Sequence, residues 1–337
     1  MESRAIVIEG KHIGIGYRSH KERTMIHNDL NFKLYQGELT CLLGSNGSGK
    51  STLLRTLSAI QPTMHGNIQL LGKPLNEYTE KERSRTIGVV LTEKTQAGGL
   101  SVYELVSLGR QPHTGFFGRL NSYDKELINH ALQAVGIADL KNKYVAELSD
   151  GERQKSFIAK ALVQECPLIL LDEPTAFLDV VSRIDIMLLL RKLAIEEKRA
   201  ILLSTHDIDQ ALLLADRLWL LHRNEGLRCG VTEDLIYAHE MNHLFPQDHI
   251  YFDVRNGIYS PKNKYEHTIQ LQAADKTLYH WAQNALNRIG FYCIEADKNT
   301  AEFPILNAAS PHSLILTENG STCEFTNFES LLQVLKK

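Results

Sequence analysis

Residues 38–57, ELTCLLGSNGSGKSTLLRTL, decide the fold. ELTCLL (38–43) is an apolar run of strand character, GSNGSGKS (44–51) is rich in glycine, and STLLRTL (51–57) spaces its leucines as a helix does. The middle piece is a complete G-x-x-x-x-G-K-[ST] phosphate loop, and a strand before it with a helix after it is the context that this motif requires. A triphosphate carries several negative charges that must meet donors at close range. Successive backbone N–H groups of a glycine-rich turn, opening into a helix N-terminus, supply those donors. Gly44, Gly47 and Gly49 let the backbone bend as side chains would forbid, with Ser45, Asn46 and Ser48 between them. Lys50 is expected to reach the β- and γ-phosphates, and the Ser51 hydroxyl to bind Mg²⁺.

Three further motifs follow in order: LSDGERQ (148–154), LILLDEP (168–174) and STHD (204–207). Together with the loop they imply that a nucleoside triphosphate is bound and hydrolysed. Residues 168–171 read as a buried strand of the parallel-sheet kind, ending in Asp172 and Glu173. An aspartate at that strand end is placed to hold Mg²⁺, through a water. Glu173 is then placed to polarise the water that attacks the γ-phosphate.

On these motifs the chain resembles the ATP-binding subunits of ABC transporters. LSDGERQ is similar to the family's signature, LSGGQ in its usual form, and opens a helix expected over 152–165. In that family two nucleotide-binding domains pair head to tail, so the resemblance implies that Ser149 and the backbone of Gly151 touch the γ-phosphate held by a second copy. It also implies that Tyr17 stacks on adenine, that Thr52 touches the α-phosphate and that Asp179 signals between the two sites. His206 is matched to the switch histidine that contacts the γ-phosphate and helps orient the water. ATP and Mg²⁺ are the implied cofactors. The catalytic set is Glu173, His206 and Lys50, and the metal set is Ser51, Asp172 and Thr92.

Two departures stand out. The family places a glutamine in the loop between core and helical subdomain, as a further Mg²⁺ contact. Here that loop is VVLTEKTQAGG (89–99), and spacing from SVYELV (101–106) puts the position on Thr92 or Glu93, with Gln96 too far along. In the signature, Asp150 and Glu152 replace Gly and Gln. Carboxylates facing a γ-phosphate would repel it, so both are expected to point away, toward Arg153 and Lys155.

At 337 residues the chain has room for two domains. Its 37 basic and 40 acidic residues give a net charge of −3, which offers no electrostatic reason to expect nucleic acid as a partner. The cysteines (Cys41, Cys166, Cys229, Cys293 and Cys323) are scattered without a C-x-x-C pair, as suits reduced thiols in cytoplasm. The N-terminus lacks a secretory pattern. No apolar run approaches the ~20 residues that cross a bilayer, so any pore must come from other chains.

Residues 5–35 suggest antiparallel strands, and 67–72 another strand before a short polar helix at 79–85. Strands at 168–172 and 199–204 alternate with helices at 182–195 and 207–215, which implies a mainly parallel sheet covered by helices. The fold class expected is an α/β P-loop NTPase of ABC type: a mainly parallel sheet core, an antiparallel β subdomain and a helical subdomain over about 93–160. The ATP-binding domain spans 1–262, and 263–337 forms a small C-terminal α+β appendage without a catalytic constellation. Within 239–243, HEMNH fits the H-E-x-x-H zinc-peptidase pattern. The helix there is short, and the third ligand would have to be Glu266, in loop or strand. Surface histidines are the better account.

SVYELVSLGRQPHTGFFGRLNSYD (101–124) is similar to the same region of ATPases for iron–siderophore, haem and vitamin B12 uptake, where ELV-x-x-GR-x-P is common. That similarity implies a homodimer of ATPase subunits with two integral-membrane permease subunits and a periplasmic binding protein. It implies a peripheral location on the cytoplasmic face of the bacterial inner membrane, and no nucleic acid. Two alternatives stay open: a soluble ABC ATPase acting on ribosomes or DNA, and a nucleotide-dependent regulator that barely hydrolyses.

Overall fold

The computed structural model describes residues 4–18, 23–91, 99–115, 118–245, 247–262, 264–296 and 303–336. Thr92, Glu93 and Gln96 lie outside the described residues. Two compact units result, Met1–Pro246 with Phe252–Ile258, and Gln247–Tyr251 with Tyr259–Lys337.

In the first unit β1 (Ile6–Arg18) and β2 (Arg23–Tyr35) pair antiparallel. The chain then turns at Gly37 into β3 (Leu39–Leu43), which is buried at every residue, as a strand covered on both faces must be. Helix α1 (Lys50–Leu57) leaves the phosphate loop from Gly49. β4 (His65–Leu70) returns against β1, and the short β5 (Lys73–Pro74) completes an antiparallel sheet in the order β2-β1-β4-β5. A capping box of Thr79 and Glu82 starts α2 (Glu80–Ser84), and β6 (Ile87–Val90) follows.

The helical portion comprises α3 (Val102–Ser107), α4 (Ser122–Ala134) and α5 (Asp150–Leu162). Ser101, Asn121 and Ser149 cap them, each reciprocated by an acid three residues on. Helix α5 therefore begins two residues before the expected start, because Ser149 satisfies its first N–H groups. The GR of ELV-x-x-GR-x-P has a structural reason. A Cβ on Gly109 would lie 2.2 Å from the Lys160 carbonyl oxygen, so only glycine lets this turn approach α5. Arg110, 3% exposed, donates to Asp124 Oδ1 at 2.8 Å, Glu165 Oε2 at 2.7 Å and the Val163 carbonyl at 2.7 Å. One guanidinium thus ties α4 and the end of α5 together.

The chain then runs through β7 (Leu168–Asp172), α6 (Val180–Glu196), β8 (Ala200–Ser204), α7 (Ile208–Leu214), β9 (Arg217–His222), β10 (Gly226–Val231), α8 (Thr232–Tyr237) and α9 (Glu240–Leu244). The second sheet has the order β10-β9-β3-β8-β7-β6, parallel throughout except for the β10 edge. The strands β6, β9 and β10 are not anticipated from the sequence. One core joins both sheets: Phe32 of β2 meets the fully buried Trp219 of β9 at a ring separation of 5.0 Å.

A hairpin of β11 (Ile250–Asp253) and β12 (Ile258–Pro261) carries the boundary between the units. The second unit contains β13 (His267–Ala273), α10 (Lys276–Asn287), β14 (Phe291–Glu295), β15 (Ile305–Ser310), β16 (Ser313–Glu318), β17 (Ser321–Phe325) and α11 (Phe328–Leu335). Its sheet has the order β14-β13-β15-β16-β17, with β13 parallel to both neighbours and the rest antiparallel. The unit has a core of its own, built on Ile269, Leu271, Leu286, Leu306 and Leu331.

Candidate nucleotide site

Parallel strands β3, β7 and β8 end at one edge of the central sheet, where such sheets bind ligands. The phosphate loop follows β3. Gly47 and Gly49 stand at φ +76° and +102°, conformations that a side chain resists. Lys50 is largely buried and its Nζ donates to the carbonyls of Gly44 at 2.8 Å and Ser45 at 3.4 Å. Burial pushes the Lys50 pKa down, while the carboxylates of Glu173 and Asp172 hold it up. Ser48 Oγ is buried and without a hydrogen-bond partner among the described residues, Asn46 is exposed and Ser45 is half-buried.

At the ends of β7 and β8 one serine bonds a carboxylate and the backbone of the next acid. Ser204 Oγ donates to Asp172 Oδ1 at 2.7 Å and accepts from the Glu173 N–H at 2.9 Å. Ser51 Oγ donates to the same Asp172 oxygen at 3.4 Å. Glu173 has φ +47°, a costly backbone for a non-glycine residue. That turn brings its Oε1 to 2.7 Å from His206 Nε2. Loop lysine, hydroxyl, two carboxylates and imidazole therefore converge at one end of the sheet.

Tyr17 is half-exposed and its hydroxyl lies 2.7 Å from Thr52 Oγ1, so both expected nucleotide contacts stand together beside α1. Asp179 caps α6, accepting from the Ser182 N–H and hydroxyl at 2.9 Å each, which lowers its pKa. A Cβ on Gly151 would come within 3.2 Å of Ser182 Oγ, so the signature glycine packs next to that cap.

The two signature acids part company. Asp150 pairs with Arg153, in the expected direction. Glu152 instead folds back on Ser149, accepting from its N–H and its hydroxyl at 2.8 Å each. Three-residue spacing at a helix start favours this capping box over a reach to Arg153 or Lys155. The bonds from Ser149 hold the Glu152 carboxyl below the usual carboxylate range.

Residues 27–176 match the ABC transporter family, and residues 266–336 match the iron ABC transporter C-terminal domain. The chain is 35% identical to the ferric enterobactin transport ATP-binding protein FepC of Escherichia coli, covering 71% of this chain and 86% of that one. It is also 35% identical to the iron(3+)-hydroxamate import ATP-binding protein FhuC of Bacillus subtilis, over 70% and 86% of the two chains. The chain belongs to the ABC transporter ATP-binding proteins. An ATP-binding cassette solved as a dimer in a post-hydrolysis state with ADP and Pi superposes with a TM-score of 0.58 at 26% identity, over 67% of this chain and 98% of that one.

As an ABC ATP-binding protein the chain binds ATP and is an ATPase coupled to transport. No helix among the described residues is long and apolar enough to cross a membrane. Fold and reaction agree with the sequence expectation.

Two residues at the candidate site escape motif reading. Ser204 lies within STHD, yet only the folded structure puts its hydroxyl between the Asp172 carboxylate and the Glu173 backbone N–H at the end of another strand. Asp207, next to His206, accepts from Thr175 Oγ1 at 2.7 Å and Arg183 Nη1 at 2.8 Å. That links the loops after β7 and β8 to α6. The signal available was that both are polar residues within STHD, flanking the histidine segment. The HEMNH segment is not a continuous helix: α9 covers Glu240–Leu244, and His239 precedes it at φ +60°. His243 Nδ1 lies 3.6 Å from Glu225 Oε2, and Glu266 is exposed.

Proposed function

We propose that this chain is the ATP-hydrolysing subunit of an ABC importer for the uptake of an iron–siderophore, haem or cobalamin, with the iron–siderophore class favoured. The observation that carries the ATPase assignment is the 2.7 Å contact of Glu173 with His206, beside Lys50 and Asp172. The cargo reading is supported by the iron-type C-terminal match and by what the two named relatives transport.

The His206 N–H holds one Glu173 oxygen and leaves the other to take a proton. A water attacking the γ-phosphorus gives that proton to Glu173 as its P–O bond forms, and the bond to the ADP oxygen breaks. Lys50, now bonded to two loop carbonyls, turns to the phosphates and offsets their charge. Ser51 and Asp172 offer hard oxygen donors, which suit Mg²⁺. Mg²⁺ bound there supplies charge neutralisation on the phosphates. The buried Ser48 hydroxyl and the glycine-rich loop opening into α1 (44–52) suit the phosphates, and Tyr17 the adenine. Ser149 and Gly151 reach the nucleotide of a second copy, with Asp179 at the junction. Thr92, or Glu93 beside it, would supply a further metal contact.

The assembly we propose is a homodimer with two permease subunits and a periplasmic binding protein, at the cytoplasmic face of the inner membrane. Residues 1–262 form its ATPase domain and 263–337 an appendage. Purification from detergent-solubilised membranes tests this: a multi-spanning partner and stimulation of hydrolysis by a ferric siderophore with its binding protein are expected. Co-purifying ribosomes or DNA in their place would refute it. A chain ended at Lys262 should still bind ATP, and loss of binding would refute the domain boundary.

A further inference from the structure

A buried histidine that belongs to no nucleotide motif touches the phosphate loop. His27 lies on β2, is 5% exposed, and its Nε2 is 2.7 Å from the carbonyl oxygen of Ser48. A carbonyl only accepts, so Nε2 carries the proton and the imidazole donates. The Ser48 carbonyl lies ahead of the α1 ladder, in which the Leu53 N–H bonds to the Gly49 carbonyl at 2.8 Å.

We infer that His27 is a positioning residue for nucleotide binding: by holding the Ser48 carbonyl toward β2, it turns the Gly49 N–H to the phosphates. The inference rests on the phosphate-loop reading above. A trans peptide is planar, with its C=O and N–H on opposite sides, and no cis peptide bond occurs among the described residues. Drawing the Ser48 oxygen toward β2 therefore directs the Gly49 N–H away from β2. The loop by itself does not enforce that orientation, because glycine rotates with little steric cost. The imidazole supplies the constraint before nucleotide arrives. Packing is close on this side: a Cβ on Gly49 would lie 3.0 Å from Ile26 Cγ2 and 3.5 Å from the His27 ring. Without its donor, the peptide must turn to find another partner or leave a buried acceptor unsatisfied.

The test compares His27→Leu, which fills the space without a donor, with His27→Gln, which retains an N–H. Affinity of the full chain for a non-hydrolysable ATP analogue is measured by titration calorimetry, beside nucleotide-free melting. His27→Leu is expected to weaken binding about tenfold, the effect of one charge-assisted hydrogen bond. His27→Gln should recover most of that loss and keep a melting temperature near the parent's, and His27→Leu should remain folded at the titration temperature. In nucleotide-free protein, ¹H–¹⁵N correlation of the ring should report the Nε2–H tautomer. Unchanged affinity in His27→Leu, an equal loss in both variants, or an Nδ1–H ring would overturn the inference. Failure of the parent chain to bind would instead refute the phosphate-loop reading beneath it.

Discussion

Replacing Glu173 by glutamine should separate nucleotide binding from hydrolysis. The amide matches the carboxylate in size, and its oxygen can still accept from His206 Nε2, now 2.7 Å away. The Glu173 N–H bond to Ser204 involves only backbone on the Glu173 side and is untouched. What disappears is the ability to take a proton from the attacking water. A positioned general base contributes about 10²–10⁴-fold, or about 3–5 kcal/mol of barrier. The stability effect should be far smaller. The side chains of His206 and Glu173 are 46% and 33% exposed, and pairs this open to solvent contribute about 0–1 kcal/mol. Phosphate release at saturating ATP and Mg²⁺ should therefore fall at least about a hundredfold. Binding of a fluorescent ATP analogue and the melting temperature should stay near the parent values. Turnover within about threefold of the parent would refute the assignment of Glu173 as base, and so would loss of ATP affinity in step with turnover.

Arg110→Met should cost about 3–5 kcal/mol, because it strands the buried Asp124 carboxylate without its cation; calorimetric melting at pH 7 checks this. Burial raises the pKa of Asp124 and Glu165, but the hydrogen bonds to Asp124 from the Asn121 N–H and Arg110, and to Glu165 from Tyr123 and Arg110, hold both below normal. Their contribution is therefore present above the ordinary carboxylate pKa of about 4 and fades as pH falls through the depressed folded values. The gap between parent and Arg110→Met should narrow in acid, and a gap that widens would contradict the assignment. Ser204→Ala removes a donor to Asp172 Oδ1, so the Mg²⁺ concentration for half-maximal turnover should rise about tenfold or more. An unchanged Mg²⁺ requirement would count against Asp172 as a metal contact.

Local chemistry made the fold and most of the site legible in the chain. The phosphate loop needs glycine where φ is positive and a strand and a helix on either side, all contiguous in residues 38–57. LILLD ends a strand buried on both faces, so Asp172 and Glu173 could be placed at the sheet edge before any coordinates. Other features depend on partners far away in sequence. Ser204 bridging to Asp172, Arg110 reaching Glu165 and His27 holding Ser48 join residues 32, 55 and 21 positions apart. Glu152 is a case where local spacing was sufficient, since Ser149 three residues earlier competes for its carboxylate. Motifs and alternation specify which backbone each segment adopts and which groups can meet phosphate, because those preferences act within a few residues. Which distant side chain completes a buried hydrogen bond is decided only when the sheets pack, because burial makes an unpaired polar group costly and that cost falls on whatever neighbour the tertiary structure brings.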